Sequence, residues 1–134
     1  MKKACVLGLG YIGLPTASVL ASNGLEVLGV DVSERVVETV NSGNIHIEEP
    51  GLRTLVAAAI GSGSLRASLT PAQADVYIIA VPTPLTEDKR ADMQYVVRAA
   101  EQIVPCLTPG CLVILESTSP PGTCRDLLPP ILER

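Results

Sequence analysis

Tryptophan and phenylalanine are absent from this 134-residue chain and tyrosine occurs three times, so there are few aromatic rings on which nucleobases could stack. Basic runs are missing too, and the formal charge is −4. Without a Lys/Arg stripe to neutralise a phosphate backbone, nucleic acid is not an expected partner. No apolar stretch approaches the roughly 18 residues that a membrane span needs. The opening MKKACVLGLG has the charged and apolar order of a secretory leader, but its apolar part is short and broken by glycine. The one histidine, His46, has no Asp or Ser neighbours arranged as a triad and reads as structural. Four cysteines, Cys5, Cys106, Cys111 and Cys124, lack close metal-ligand spacing. They read as reduced thiols of a cytoplasmic protein, Cys5 and Cys111 within buried strands. No metal site is expected.

Hydrophobic residues make up 47% of the chain, and with so few rings the core must be built from Val, Leu, Ile and Ala. Such residues suit parallel strands covered on both faces by helices. Apolar runs at 3–9, 26–31 (EVLGVD), 64–69, 75–82 (DVYIIAVP) and 111–118 (CLVILEST) predict five strands. Between them lie helical patterns at 14–24, 34–43, 52–63 and 93–105, with Ser33 and Asp92 placed to cap the second and fourth. A last helical segment, 123–134, contains two consecutive prolines that would interrupt it. Strand and helix alternation implies right-handed crossovers, hence an α/β, Rossmann-type, doubly wound parallel sheet in three layers, as one domain over 1–134. The expected strand order is 3-2-1-4-5, which puts the loops after strands 1, 4 and 5 on one rim.

The first of those loops is Gly8-Leu9-Gly10-Tyr11-Ile12-Gly13. Alone, three glycines at this spacing are a weak signal. Here they follow an apolar strand, open a helix, and precede an acid, Asp31, at the end of the next strand. Gly8 permits the tight turn, Gly10 lets a pyrophosphate approach the backbone, and Gly13 lets helix and strand pack closely. The helix amino terminus then offers free N–H donors and a favourable dipole to a diphosphate. Asp31 is placed to accept from the adenosine ribose hydroxyls and to repel a 2′-phosphate, which favours NAD over NADP. Arg35 has several uses open to it: reaching a 2′-phosphate, lying over the adenine, pairing with Asp31, or standing in solvent.

The loop after strand 4, Val81-Pro82-Thr83-Pro84, presents no titratable group, so its contribution is geometric. Its prolines fix the loop, while Thr83 offers a hydroxyl and an amide on the ribose or nicotinamide side. After strand 5, Ser117 and Thr118 bring hydroxyls to the same crevice. Glu116 reads as an exposed strand-end acid rather than a base. None of the cysteines has neighbours that would activate a thiolate.

With GLGYIGLPTA, GVDVSERVVETVNSG, IHIEEPGL, VPTP, ADMQYV and LESTSPPGT in order, the chain resembles, along essentially its whole length, the amino-terminal domain of the UDP-glucose/GDP-mannose dehydrogenase family. IHIEEPGL, LRASLTPAQAD and VILESTSPPGT look most like the branch acting on UDP-N-acetyl-D-mannosamine. The resemblance implies a four-electron oxidation of the C6 alcohol to a carboxylate in polysaccharide biosynthesis, with two NAD used in turn and a thioester on a cysteine. That cysteine and its lysine and asparagine partners belong to later parts of a longer chain. So do most sugar-nucleotide contacts and the helical region that builds the family's dimer. The chain is therefore expected to be a fragment that grips NAD without turnover, its parent a homo-oligomer. Carried over by motif, Gly8, Gly10, Tyr11, Ile12, Gly13, Asp31, Arg35, Val81, Thr83, Ser117 and Thr118 are cofactor-side residues. Thr118 also matches a threonine that helps to order the catalytic water. Arg35 stands where many members have lysine, and Cys124 where close relatives have a hydroxyl residue. Two other readings are a 3-hydroxyacid or 6-phosphogluconate type dehydrogenase, against which VPTP and ESTSPPGT argue, and a non-enzymatic NAD(H)-sensing domain.

Overall fold

Residues 4–7, ACVL, alternate between two interiors rather than between core and water, after an exposed Lys3. In the computed structural model, which describes residues 2–133, β1 (Lys3–Leu7) sends Ala4 and Val6 into one apolar cluster and Cys5 and Leu7 into another. A strand buried on both sides must be apolar throughout, and this is why its sequence shows no polar alternation. Met1 and Arg134, the ends of the leader-like start and of the last helical segment, lie outside the described residues.

Four further strands, β2 (Glu26–Val30), β3 (Leu65–Ser68), β4 (Val76–Ile79) and β5 (Leu112–Leu115), join β1 in one sheet of order β3-β2-β1-β4-β5. Every pairing is parallel; Val6, for example, stands between Gly29 of β2 and Ile78 of β4. The predicted doubly wound order is therefore observed. Helices α1 (Gly13–Ser22), α2 (Glu34–Asn41) and α3 (Leu52–Gly61) cover one face through Leu14, Ala17, Val40, Leu52 and Val56. On the other face lie α4 (Gln94–Ile103), through Val96, Ala99 and Ile103, and α5 (Leu128–Leu132), through Leu128 and Ile131. No helix among the described residues is long and apolar enough to cross a membrane.

The two expected caps are made by different routes. Ser33 accepts the Val36 N–H at 3.3 Å as the cap of α2. Asp92 lies one residue before the α4 cap position, Met93, and its carboxylate takes the Gln94 N–H at 3.1 Å and the Gln94 side-chain amide at 2.8 Å. Edge strand β3 is clasped by Asn41, whose amide accepts from the Ala67 N–H at 2.8 Å and donates to its carbonyl at 2.9 Å. The side chain thus completes two bonds that a further strand would otherwise make.

Some expectations fail for tertiary reasons. The core is not purely aliphatic: Tyr77 is the largest fully buried side chain, because its hydroxyl takes the Ala74 N–H at 3.0 Å and donates to the Cys106 carbonyl at 2.9 Å. Cys111 is half-buried just before β5 rather than within a buried strand. As the sheet's other edge, β5 packs Val113 and Leu115 under the α4 layer, while Leu112 and Ile114 are 54% and 39% exposed on the opposite face. Finally, the prolines do not interrupt the last helix. Pro129 and Pro130 occupy its first turn, where a missing N–H costs nothing, and a π turn at Thr123–Leu127 precedes them.

Candidate cofactor site

Because all five strands run the same way, the segments following β1, β2, β4 and β5 reach one edge of the sheet. They are bonded to one another. Gly8 N–H donates to the Val30 carbonyl at 2.7 Å, and Ala80 N–H to the Leu7 carbonyl at 2.8 Å. Glu116 and Ser117 both donate backbone N–H to the Ile79 carbonyl, at 2.9 and 3.2 Å. The result is a continuous shelf running from Asp31 through the glycine loop to Val81 and Ser117. At the opposite end of the sheet a recess of about 120 Å³ lies among Lys3, Glu26, Arg66 and Gln73, away from all of these groups.

The three loop glycines answer three different demands. Gly8 has φ +96°, and a Cβ there would stand 2.5 Å from the Ala80 carbonyl oxygen. A Cβ on Gly13 would lie 1.6 Å from the Gly8 carbonyl oxygen, so the close approach of α1 to the loop admits no side chain. Gly10 differs: its φ is not positive, and a Cβ would meet nothing within 4 Å. No internal packing requires glycine there, whereas a ligand pressed against the backbone would. The N–H groups of Gly10, Tyr11, Ile12 and Gly13 find no acceptor among the described residues. Helix α1 also begins without a side-chain cap and with no acid in its first turn. Free donors, an uncompensated dipole and open space above Gly10 suit a diphosphate. Tyr11 and Ile12 are 64% and 56% exposed beside it.

Asp31 directly follows β2 with its carboxylate anchored: Oδ2 accepts the Leu9 N–H at 3.0 Å and Oδ1 the Ser33 N–H at 3.0 Å. Each oxygen keeps a lone pair for a hydroxyl, while the negative charge stays fixed where a 2′-phosphate would have to sit. Arg35 lies in the first turn of α2, exposed, with no ion pair to Asp31. Across the shelf the hydroxyls turn inward. Ser117 Oγ donates to the Val81 carbonyl at 2.8 Å, and Thr83 Oγ1 to the Thr118 carbonyl at 2.7 Å. Both were expected to face the crevice; their protons instead tie the β4 and β5 loops together, leaving only lone pairs to offer. Thr118 is exposed beside this latch. Glu116, also exposed, accepts from Thr16 of α1 at 3.0 Å and is engaged rather than free. Burial pushes the Cys5 thiol up to about 11, away from thiolate chemistry.

Residues 2–134 match the model of the UDP-glucose/GDP-mannose dehydrogenase family, NAD binding domain. The chain belongs to that family. Among its relatives, the UDP-N-acetyl-D-mannosamine dehydrogenase of Escherichia coli is 55% identical over 122 residues, 91% of this chain and 29% of the relative. The NDP-N-acetyl-D-galactosaminuronic acid dehydrogenase of Ralstonia nicotianae is 54% identical over the same shares. The solved UDP-N-acetyl-mannosamine dehydrogenase of Staphylococcus aureus superposes with a TM-score of 0.94 at 44% identity, covering 98% of this chain and 32% of that one. The chain thus spans less than a third of the length of these dehydrogenases.

Membership in the family makes NAD the cofactor of this domain, and the shelf fits it: donors at the loop, an anchored acid one strand away, and hydroxyl-bearing loops beyond. The loops after β1, β4 and β5, with Gly8, Gly10, Gly13, Val81, Thr83, Ser117 and Thr118, meet on one rim as expected, and Asp31, which follows β2, stands on it too. Sequence reasoning did not foresee His46. The Nε2 of this ring lies 2.6 Å from the Leu9 carbonyl oxygen, between the loop glycines. Nothing in the IHIEEPG segment signals a partner 37 residues away.

Proposed function

We propose that residues 1–134 form one NAD-binding unit of a longer cytoplasmic UDP-sugar 6-dehydrogenase, and that the whole enzyme takes UDP-N-acetyl-D-mannosamine to its uronate. The cofactor half rests above all on Gly10, a glycine that the fold itself does not need, set among unpaired N–H donors. The sugar half rests on the likeness to the E. coli and S. aureus dehydrogenases, with the R. nicotianae relative pointing to a neighbouring N-acetylated sugar. Bound NAD supplies a hydride acceptor, and oxidation of a primary alcohol to a carboxylate consumes two.

This chain's part in that chemistry is grip and placement. The Gly10–Gly13 amides hold the diphosphate, and Asp31 takes the adenosine ribose and excludes a 2′-phosphate. Arg35 flanks the ribose side from α2. The Thr83–Thr118 and Ser117–Val81 bonds fix the two loops that border the nicotinamide half. Thr118, held by its backbone, keeps its hydroxyl exposed to order a water. Cys5 is buried and Glu116 is engaged by Thr16, so neither stands ready as a nucleophile or base, and the exposed Cys124 has no basic neighbour in sequence but Arg125, which is paired with Asp126. The isolated chain accordingly binds NAD without reducing it, and the parent assembles as a homo-oligomer. The test has two arms. The purified chain is titrated with NAD and incubated with NAD and UDP-N-acetyl-D-mannosamine, and the full-length parent is offered that sugar and its galacto epimer. NAD binding without NADH formation by the chain, and faster NADH formation by the parent on the manno sugar, are expected. Turnover by the chain, or preference of the parent for the galacto epimer, would contradict the corresponding half.

A further inference from the structure

We infer that His46 is a positioning residue for the cofactor loop, holding the Leu9–Gly10 peptide in the orientation that presents the Gly10 N–H to the diphosphate. This inference rests on the cofactor reading above.

The loop residue Leu9 is held at three points. Its side chain is fully buried and lies over Gly29, where an added Cβ would come within 2.7 Å of Leu9 Cδ2. Its N–H donates to Asp31 at 3.0 Å, and its carbonyl oxygen is 2.6 Å from His46 Nε2. A carbonyl accepts only, so Nε2 must carry the proton and donate. The imidazole is brought there by its neighbours: Ile47 is buried and Ile45 half-buried in the cluster beneath α1 and α3, which pins the segment on either side of the ring.

The consequence follows from peptide geometry. The Leu9 carbonyl and the Gly10 N–H belong to one planar trans unit and point in opposite directions. Fixing the carbonyl on His46 therefore fixes the Gly10 N–H on the far side. Without such a tie the unit has a second choice, because glycine tolerates backbone conformations closed to other residues and nothing crowds Gly10. A flipped peptide would turn a carbonyl oxygen where a donor is needed and would repel the diphosphate. The openness that lets a ligand approach Gly10 is the same openness that makes a lock necessary. Asp31 cannot supply it, since the acid holds the peptide on the other side of Leu9.

The experiment compares wild type, His46→Leu and His46→Gln in the full 134-residue chain, measuring the NAD dissociation constant by calorimetry and the thermal midpoint in parallel. The glutamine amide can reach the carbonyl with an N–H much as Nε2 does; leucine cannot. If the locked peptide falls to about a tenth of the population, His46→Leu weakens NAD about tenfold, since apparent affinity scales with the competent fraction. His46→Gln is expected to restore binding to within about threefold, even where its thermal midpoint matches that of His46→Leu. A ring that merely packs would lower the midpoint of both variants and leave both affinities alike, and this outcome overturns the inference. So does His46→Leu binding as wild type does. If wild type itself fails to bind NAD, the cofactor reading fails first and the inference falls with it. Should His46→Leu not fold, nitrogen-detected NMR of wild type decides: a proton on Nε2 coupled to the Leu9 carbonyl supports the lock, and an unprotonated Nε2 refutes it.

Discussion

Replacing Gly10 and Gly13 by alanine, one at a time, separates a glycine kept for a ligand from one kept for the fold. At Gly13 the new methyl would stand 1.6 Å from the Gly8 carbonyl oxygen, and since both partners are backbone, only displacement of α1 or the loop relieves it. Overpacking of that kind costs about 3 kcal/mol or more. At Gly10 the methyl meets nothing within 4 Å and φ is not positive, so the fold is indifferent or gains up to about 1 kcal/mol through a less flexible unfolded chain. The same methyl occupies the space into which a diphosphate must come to reach the loop amides. Losing one charge-assisted hydrogen bond there is worth about 2 kcal/mol, or roughly 30-fold in the dissociation constant. Urea denaturation and NAD calorimetry on both variants give the two coordinates. Gly10→Ala should keep its stability and lose affinity; Gly13→Ala should lose stability first. A Gly10→Ala variant that binds NAD as wild type does, or that is destabilised by more than about 1 kcal/mol, would refute the assignment of that position to the ligand.

Removing the Asp31 carboxylate by Asp31→Ala strands the Leu9 and Ser33 N–H donors as well as the ribose, so a stability loss of about 1–2 kcal/mol in urea should accompany the loss of NAD binding. Tyr77→Phe leaves the buried Ala74 N–H without its acceptor and should cost about 1–3 kcal/mol at an unchanged NAD affinity, because Tyr77 touches none of the shelf. The Cys5 thiol, raised by burial from 9.0 to about 11, and the Tyr77 phenol, also raised by burial, hold their protons more tightly when folded. The Cys5 contribution is fully present below pH 9.0 and fades as pH rises through about 11, so urea midpoints should fall across that window, and less steeply in Cys5→Ala.

Legibility in the sequence followed the range of each interaction. The strands buried on both faces, the Ser33 cap and the spacing from the glycine loop to Asp31 are local, and each was readable from a short window. Strand order came from the doubly wound pattern expected when strands alternate with helices and a glycine loop follows the first strand. Contacts made by a single side chain with a distant backbone left no such mark. The Asn41 clasp on β3, the Tyr77 hydroxyl shared by Ala74 and Cys106, and His46 on the Leu9 carbonyl depend on chain crossings that residue type does not encode. The hydroxyls of Thr83 and Ser117 were legible as residues of the rim but not in direction: each found a carbonyl of the adjoining loop. The half-open β5 face escaped notice because CLVILEST is apolar enough for a fully covered strand, and coverage is decided by which helices lie over it.

Calorimetric titration of the unmodified chain with NAD and, separately, with NADP tests the central claim most directly. A saturable heat with NAD and at least tenfold weaker binding of NADP are expected, since a 2′-phosphate meets the Asp31 carboxylate held by the Leu9 and Ser33 amides. Equal affinities, or a preference for NADP, would contradict the role given to Asp31 and to the shelf built around it.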